Sequence, residues 1–330
     1  MLKGLVMWFH GSMFSRRDFF YLTAVGTLAA TNAKMTGKQR VDRALKGQDV
    51  DRTPFTYWHH FGLEKFPGER QAEATLAFHR QFRTDLVKVM SDYPFPKPEG
   101  KWHDLKVVNN PFPEQLRALE LIRDGLRGEA DFVETIFNPW NVAEKMSSPE
   151  EVLRLKQEKP KALEAALEAI AESEASHARK AVAAGAAGVF LAIANAQDGI
   201  MTQEDYARFS EPFDHLILEA VSGAPLNVLH LHGDKVYLDR FVKGWPVVAI
   251  NYSNFGTGRT VEAMRAQYGG VLMSGLDEKN FRHLSEADLR QQWEAARAGA
   301  GKKFILTPGC SVPNDSTDEE LMRLVKVTGA

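Results

Sequence analysis

Short apolar runs alternate with longer amphipathic segments from residue 36 to the end of the chain. Eight runs have the length and the continuous apolar character of buried parallel strands, and the segments between them repeat apolar residues at helical spacing. The predicted strands occupy residues 55–58, 86–90, 132–137, 188–193, 226–231, 247–250, 271–273 and 304–306. Consecutive parallel strands require crossover helices, so this order predicts an α/β fold. Eight such units favour a single (β/α)8 TIM-type barrel.

The segments between the strands predict helices with one apolar face. They occupy residues 36–45, 68–82, 113–126, 149–155, 160–184, 202–221, 259–268, 285–298 and 318–327. The polar, proline-rich residues 94–112 predict a loop or hairpin that folds over the strand ends. The Asn-Pro-Trp sequence at residues 138–140 predicts the turn that ends the third strand.

Composition narrows the class of protein without naming a reaction. The chain has 330 residues, of which 44% are hydrophobic and 25% charged, enough for a large core. Its formal net charge of −2 gives no basic excess of the kind that nucleic-acid binding requires. A single cysteine excludes an internal disulfide.

The first 34 residues predict a targeting signal and not part of the fold. Residues 15–20 read Ser-Arg-Arg-Asp-Phe-Phe, the twin-arginine form, and a short segment of small and weakly hydrophobic residues follows. That segment is too short to span a bilayer, so no stable membrane insertion is expected. The interpretation is a signal at 1–34 read by the Tat translocase, a periplasmic or exported protein, and a barrel at 35–330. Translation from Met35 would instead leave a cytoplasmic enzyme.

Polar residues follow almost every predicted strand, where the active sites of (β/α)8 barrels lie. His59 and His60 follow the first strand and Asp92 the second, and these three are the predicted catalytic residues. The predicted substrate-binding residues follow later strands: Asn138, Trp140, Asn195 and Tyr252.

Residues 227–234 read Asn-Val-Leu-His-Leu-His-Gly-Asp and give the strongest chemical signal. His230 and His232 are two apart on a strand, so both imidazoles project to the same face. Cys310 follows the last predicted strand in a Thr-Pro-Gly-Cys turn and offers a third ligand. Two imidazoles and a thiolate predict an open zinc site with a vacant position for substrate. The alternative for the histidine pair is a half-buried, hydrogen-bonded structural role.

Several segments resemble the uroporphyrinogen decarboxylase superfamily, over roughly residues 36–329. The matching motifs are Arg-Val-Asp-Arg-Ala-Leu-Lys-Gly at 40–47, Asp-Arg-Thr-Pro at 51–54, Val-Met-Ser-Asp at 89–92, Asn-Pro-Trp-Asn at 138–141 and Pro-Gly-Cys-Ser-Val-Pro at 308–313. The resemblance implies the barrel fold and places an acidic catalytic residue at Asp92. Homodimers are known in the family, so a homodimer is among the expectations.

Two departures separate the chain from true uroporphyrinogen decarboxylases. Those enzymes carry an Arg-Gln-Ala-Gly-Arg segment after the first strand, which binds the carboxylates of the tetrapyrrole, whereas residues 57–62 here read Tyr-Trp-His-His-Phe-Gly. Without these guanidinium groups the substrate carboxylates lose their bidentate partners. The family's active-site tyrosine also has no match, because Glu144 and Lys145 stand where it is expected.

The methyltransferase branch of the family has a His-x-Cys after the fifth strand and a cysteine in the last loop, all of which bind zinc. This chain keeps the first histidine as His230 and the last cysteine as Cys310, and His232 replaces the middle cysteine. The replacement preserves zinc-ligand chemistry while lowering the thiolate charge. The resemblance therefore implies a zinc-dependent methyltransferase-type enzyme acting on a small methylated or thiol substrate.

In this interpretation zinc lowers the pKa of a bound thiol or water, and a corrinoid protein is the candidate methyl donor. Asp92 positions substrate or acts as a base, and Asp277, Asp198 or Glu278 supports the ligands from the second sphere. Export would separate the enzyme from cytosolic corrinoid or thiol partners and favours a zinc-dependent lyase or hydrolase. The first alternative is metal-independent decarboxylation of a porphyrinogen or a smaller carboxylate. The second is a non-catalytic binding barrel.

Overall fold

Seven parallel strands form one curled sheet in residues 34–330, the part of the chain that the computed structural model describes. The strands lie side by side in chain order, and each pairs in parallel with the next. They are β1 Leu86–Val89, β2 Asp131–Phe137, β3 Gly188–Ile193, β4 Val228–Leu231, β5 Ala249–Tyr252, β6 Val271–Leu276 and β7 Phe304–Pro308. The second to eighth predicted strands are therefore confirmed, and the α/β class with them.

Helices connect the strands, because parallel neighbours need crossover connections. They are α1 Gly37–Leu45, α2 Gly68–Phe82, α3 Pro113–Leu126, α4 Pro139–Met146, α5 Pro149–Glu158, α6 Pro160–Ala183, α7 Gln203–Phe209, α8 Glu211–Glu219, α9 Asn254–Thr257, α10 Val261–Arg265, α11 Glu286–Ala300 and α12 Asp318–Thr328. Two short 3₁₀ turns lie at Leu238–Arg240 and Phe281–His283. Residues 94–112 contain neither helix nor strand, as a loop requires.

The first predicted strand, at residues 55–58, is reduced to an isolated bridge between Phe55 and Leu306. Leu306 donates its backbone N–H to Pro54 at 2.9 Å, and Thr56 donates to Leu306 at 3.0 Å. On the other side, the N–H of Asp85 donates to the carbonyl of Phe55 at 2.9 Å. Pro54 has no N–H to extend the ladder. The segment thus makes hydrogen bonds to β7 and to the residue before β1, an arrangement compatible with a TIM-type barrel.

The two faces of the sheet pack against different partners. Leu229 in β4 faces the covering helices, whereas Val228 joins an inner apolar cluster that also contains Leu86 and Met90. Because side chains alternate along a strand, Lys88 and His230 lie on the inner face with that cluster. Lys88 is 9% exposed and His230 is 5% exposed. On the inner face, buried polar side chains therefore lie next to an apolar cluster.

Charged residues close the amino-terminal end of the sheet. Asp85 accepts hydrogen bonds from Arg40 Nη1 and from the N–H of Phe55, both at 3.0 Å, and it pairs with Arg52. Asp51 pairs with Arg40 through a 2.6 Å contact, and Arg40 lowers the pKa of Asp51 to about 2. The family-like motifs at residues 40–47 and 51–54 thus tie α1 to the sheet, at the end away from the candidate site.

Two helix predictions need correction. The helix predicted at 202–221 is two helices, α7 and α8, which meet at Ser210. Pro212 in the first turn of α8 has no N–H to continue the hydrogen bonds of α7. The turn predicted at 138–140 instead begins helix α4, with Asn138 as the N-cap and Pro139 in the first turn. Proline there fits the free N–H positions of a helix start.

The predicted twin-arginine signal falls on residues 1–34, and all of these except Lys34 lie outside the described residues. Within residues 34–330, no helix combines the length and apolar character needed to cross a membrane.

Candidate functional site

Three side chains from two distant strands meet above the inner face of the sheet. His230 lies in β4, His232 directly follows it, and Cys310 follows β7. Their candidate ligand atoms all lie within 4.8 Å of one another, and His232 Nδ1 is 3.2 Å from Cys310 Sγ. Two strands separate β4 from β7 in the sheet order, so the curl of the sheet brings these loops together. We name these three residues the ligand cluster.

Asn251 fixes the orientation of His230. The two residues are direct partners in the β4–β5 register, and His230 Nδ1 donates to Asn251 Oδ1 at 2.6 Å. The amide nitrogen of Asn251 donates to Met273, Thr307 and Pro308 at 2.9–3.0 Å, which defines the amide orientation. This contact leaves Nε2 of His230 free to bind a metal, as second-sphere partners of ligand histidines do.

Two glycines allow the ligand-bearing loops to approach their neighbours. Gly233, at a φ of +119°, would place a Cβ 2.2 Å from the side chain of Gln197. A Cβ on Gly309 would lie 2.3 Å from the backbone of Ser253. The N–H of Gly309 donates to Glu278 Oε2 at 3.2 Å. Both loops therefore depend on a residue without a side chain.

The charges within the ligand cluster suit a metal. Burial raises the pKa of the Cys310 thiol, but the imidazoles of His230 and His232 outweigh this effect and lower it to about 4. The contact with Cys310 raises the pKa of His232, against the opposing effect of burial. A thiolate and two imidazoles are ligands that zinc prefers, and three protein ligands leave a position for substrate. The donor set therefore fits zinc.

The ligand cluster faces a cavity of about 480 Å³, which we name the aromatic cavity. Its walls include Trp58 and Phe137, and two lysines, Lys88 and Lys145, also line it. Trp58 and Phe190 hold the His230 ring, with the Phe190 ring stacked on the imidazole at 5.1 Å. Aromatic walls lower the polarity around groups that react beside them.

A second cavity, of about 760 Å³, lies against the other side of the ligand cluster, and we name it the polar cavity. Its walls include Gln197, Asp234 and Lys279. His232, Cys310 and Ser311 line both cavities, whereas His230 lines the aromatic cavity. The ligand cluster therefore lies between two spaces of different character.

Two of the predicted catalytic residues lie together near the aromatic cavity. His60 lines the cavity, and its Nδ1 donates to Asp92 Oδ1 at 2.6 Å. The second oxygen, Asp92 Oδ2, is buried without a hydrogen-bond partner in the described chain. Asp92 also lines an adjoining space of about 270 Å³, which shares Thr135, Phe137 and Lys145 with the aromatic cavity.

His59, the third predicted catalytic residue, lies elsewhere. Its ring packs against Phe61 and Phe78, with ring centres 4.9 and 5.2 Å away. Its Nδ1 donates to the carbonyl of His60 at 2.8 Å, and burial lowers its pKa. His60 therefore lines the aromatic cavity, whereas His59 packs against two phenylalanine rings.

The four predicted substrate-binding residues are buried within the fold and line neither cavity. Asn138 caps α4 and donates to Asn195 at 2.8 Å. Trp140 donates from Nε1 to Glu144 at 2.8 Å, and the Tyr252 hydroxyl donates to a backbone carbonyl. Their positions after strands predicted exposure to substrate, but each meets its hydrogen-bonding needs inside the protein.

Of the predicted second-sphere residues, only Glu278 approaches the ligand cluster, through Gly309. Asp277 accepts hydrogen bonds from the side chain and backbone of Asn280, and Asp198 is an exposed partner of Lys235 at 4.0 Å. Asn251 supports His230 in their place.

The model of the family described as uroporphyrinogen decarboxylase (URO-D) matches residues 94–330. No curated protein is similar to the chain at the level of sequence.

Solved structures share the fold at low sequence identity. A methyltransferase from Methanosarcina mazei aligns with a TM-score of 0.72 at 19% identity, covering 89% of this chain and 98% of that one. A B12-independent methionine synthase from a Shewanella species, in complex with selenomethionine, aligns with a TM-score of 0.54 at 10% identity, covering 84% and 92%. A putative vitamin-B12-independent methionine synthase from Listeria monocytogenes aligns at 0.51 and 9% identity, covering 84% and 96%.

Proposed function

Because the chain belongs to the uroporphyrinogen decarboxylase family, we propose that it is a zinc-dependent enzyme of the methyltransferase type that acts on a small methylated or thiol substrate. The observation that carries the proposal is the ligand cluster, which joins two imidazoles and a thiolate, with His232 and Cys310 on the wall shared by the two cavities. Three protein ligands with an open position are typical of catalytic zinc sites.

His230, His232 and Cys310 are the residues that would hold zinc, and zinc bound there would lower the pKa of a substrate thiol. The contacts that orient these residues are already formed in the protein alone. Asn251 holds His230 in one tautomer, and Glu278 holds the loop that carries Cys310. Such second-sphere contacts orient the ligand atoms and preserve metal affinity.

His60 is the proposed proton acceptor. Its Nδ1 donates to Asp92, which leaves Nε2 on the cavity side free to take the proton of a substrate thiol. Asp92 then stabilises the imidazolium, as an orienting carboxylate does in other acid–base pairs. The proton moves from the substrate sulfur to His60 Nε2, and the electron pair left on sulfur forms the new S–C bond to the methyl group. The bond between the methyl carbon and its donor breaks, and its electron pair leaves with the donor.

The two cavities suggest where the two reactants bind. The aromatic cavity suits the small substrate, because its volume is smaller and its rings exclude water. The larger polar cavity reaches the same two side chains, His232 and Cys310, from the other side and suits the approach of a methyl donor. A corrinoid protein is the proposed donor. The fold shared with methyltransferases and methionine synthases supports methyl transfer as the reaction class.

Decarboxylation of a small carboxylate, without metal, is the second candidate. The buried and unpartnered Asp92 Oδ2 favours it, because a carboxylate placed there can stabilise a developing cation in the substrate. A porphyrinogen fits less well, since no arginine of the described chain lines the aromatic cavity, the polar cavity or the adjoining space to bind its carboxylates.

We also propose the organisation of the whole chain. Residues 35–330 form one (β/α)8 barrel in which residues 54–57 take the place of the first strand, and residues 1–34 form a twin-arginine signal read by the Tat translocase. The mature protein is then periplasmic or exported, whereas a start at Met35 would keep it cytoplasmic. A homodimer remains part of the proposal. Immunodetection in fractionated cells, with Arg16 and Arg17 changed to lysine, tests the export step.

Methyl transfer is tested with free methylcobalamin as donor and a panel of small thiols as acceptors, followed by NMR of the S-methyl products. The wild-type chain is expected to form product, and His230→Ala is expected to lose it. His215→Ala is the matched control, since that ring stacks on Trp245 in a different part of the structure. Turnover that survives zinc removal and releases carbon dioxide would support decarboxylation instead. Binding without any turnover would indicate a non-catalytic barrel.

A further inference from the structure

Two lysines of the aromatic cavity lack the carboxylate partners that buried cations normally have. Lys88 projects from β1, and its Nζ contacts Met90 Sδ at 2.8 Å and lies 5.2 Å from the ring centre of Trp58. Lys145, in α4, holds its Nζ 3.1 Å from the ring centre of Phe137. Neither ammonium group hydrogen-bonds to a carboxylate of residues 34–330.

Some oxygens of the nearby carboxylates are engaged by other groups, whereas Asp92 Oδ2 and Glu174 Oε2 have no hydrogen-bond partner among the described residues and act on Lys145 only through their charge. Glu134 accepts from His177 at 2.9 Å and from Gln115 at 2.8 Å. Asp92 accepts from His60. The aromatic rings attract a cation, but their attraction is weaker than the hydration that an ammonium group loses on burial.

The two ammonium groups also disfavour each other. Burial, with a smaller contribution from the charge of Lys145, lowers the pKa of Lys88 to about 7, against the opposing effects of Cys310, Asp92 and Glu134. Burial likewise lowers the pKa of Lys145. Both lysines line one cavity, so an anion placed there would meet both charges. A pair of unpaired cations facing a common space is the arrangement expected of a site that its ligand completes.

We propose that Lys88 and Lys145 bind the carboxylate of a small substrate in the aromatic cavity, with the reacting end of that substrate directed to the ligand cluster. The inference rests on the proposed function for the identity of that reacting end. It names the substrate class: a small thiol or methylated compound that also carries a carboxylate. An ammonium group is a strong donor to a carboxylate, and the interaction is strengthened where water is excluded.

The test is calorimetric titration of the full-length chain with 3-mercaptopropionate and with its neutral amide, 3-mercaptopropionamide. The wild type is expected to bind the carboxylate at least about tenfold more tightly than the amide, since hydrogen bonds to a charged group are stronger than those to a neutral one. The preference is expected to fall within about twofold in Lys88→Met and in Lys145→Met. Lys279→Met is the matched control and is expected to keep the wild-type preference, because Lys279 already pairs with Asp234 in the polar cavity.

Equal affinities for the two compounds in the wild type would overturn the inference, as would a carboxylate preference that survives both lysine substitutions. Thermal melts check folding, and if Lys88→Met does not fold, Lys145→Met decides the outcome. The same titrations on His230→Ala/Cys310→Ser separate this inference from the zinc proposal. A preference that persists in that variant supports the lysine site whether or not zinc binds. A preference lost there and kept in the lysine variants would assign the carboxylate to the metal.

Discussion

The aromatic cavity and the polar cavity share His232 and Cys310 but differ in whether their lysines lie beside carboxylates. In the polar cavity, Lys279 pairs with Asp234 at 2.6 Å, and Lys235 lies 4.0 Å from Asp198. In the aromatic cavity, Lys88 lies among rings and a thioether, without a carboxylate partner in the described chain. The contrast is that the lysines of the polar cavity lie beside its own carboxylates, whereas Lys88 and Lys145 of the aromatic cavity have no hydrogen-bonded carboxylate partner in the described chain.

The contrast extends to the walls. The aromatic cavity, at about 480 Å³, encloses its charges within rings, and the polar cavity, at about 760 Å³, is lined by amides and carboxylates. A small anionic substrate and a larger methyl donor would therefore meet at the ligand cluster from opposite sides. Such a division would account for two spaces beside three candidate zinc ligands.

The largest expected effect comes from removing the thiolate that both cavities share. Cys310→Ser replaces a soft, negatively charged ligand by a neutral hydroxyl, so zinc affinity is expected to fall by more than about 100-fold, beyond the range for second-sphere changes. Competition with a chromogenic chelator measures the change. Ser311→Ala, beside it on the same shared wall, is the control. Unchanged zinc affinity in Cys310→Ser would remove Cys310 from the ligand set.

The second prediction distinguishes a loss of zinc affinity from a loss of fold stability, by comparing two buried asparagines. Asn251→Leu removes the acceptor that holds His230 Nδ1, and zinc affinity is expected to fall by about 10–100-fold. Asn227→Leu is the matched control, because this buried asparagine bonds to Val189 and Val221 at the other end of β4. Chelator competition should leave Asn227→Leu near the wild type, while both variants lower the melting temperature. Equal zinc affinities in the two variants would contradict the role of Asn251.

The third prediction tests whether the buried ammonium group of Lys88 lowers the free energy of unfolding of the free protein. Lys88→Met is expected to stabilise the free protein at pH 7 by about 1–3 kcal/mol, the cost of a buried polar group without a suitable partner. The folded-state pKa of Lys88 is lowered from 10.5 to about 7, so the unfolded chain binds more protons between these values. Wild-type stability should therefore rise across that window, and the advantage of Lys88→Met should shrink by pH 10.

Urea denaturation at pH 7 and pH 10 measures both effects. Lys279→Met provides the comparison from the polar cavity, where loss of an exposed ion pair is expected to change stability by about 0–1 kcal/mol. A destabilised Lys88→Met at pH 7 would show that the lysine supports the fold, contrary to this interpretation.

The smallest expected effect is the pH dependence of carboxylate binding. A bound carboxylate favours the charged form of Lys88, so affinity is expected to be constant below about pH 7 and to fall by up to about tenfold per pH unit above it. Cys310, Asp92, Glu134 and Lys145 are the charged groups that act on Lys88. The ratio of the affinities for 3-mercaptopropionate and 3-mercaptopropionamide, titrated from pH 6 to pH 9, measures the slope, because the proton of the thiol that both compounds carry cancels in the ratio. Lys88→Met is the flat control, and a ratio that rises with pH would contradict the assignment.

Sequence pattern was sufficient for the parts of the molecule that depend on local periodicity. Period-two alternation placed His230 and His232 on one face, and the turn after the last strand delivered Cys310 beside them. Lys88, a lysine between apolar residues of β1, faces the same side by this rule and was missing from the predicted site residues. A charged residue inside an apolar strand is a signal that points to a site.

Other features depended on contacts that no local pattern contains. Asn251 was expected beyond its strand, yet β5 extends to Tyr252, so Asn251 lies within the ladder opposite His230. Asn138 and Trp140 were expected at a substrate rim, but the Asn-Pro pair starts a helix and turns both inward. The length of the first strand was predicted wrongly. Its residues 55–58 are apolar enough for a strand, but of these four residues Phe55 alone forms a β-bridge.

Zinc content tests the central claim most directly. Mass spectrometry of the purified full-length chain, equilibrated with zinc and then dialysed, is compared with His230→Ala/Cys310→Ser and with Lys88→Met/Lys145→Met. We expect about one zinc per chain in the wild type and in the lysine variant, and none in the ligand variant. No zinc in the wild type, or equal zinc in the ligand variant, would contradict the account and return the chemistry of the cavity to Asp92 and His60.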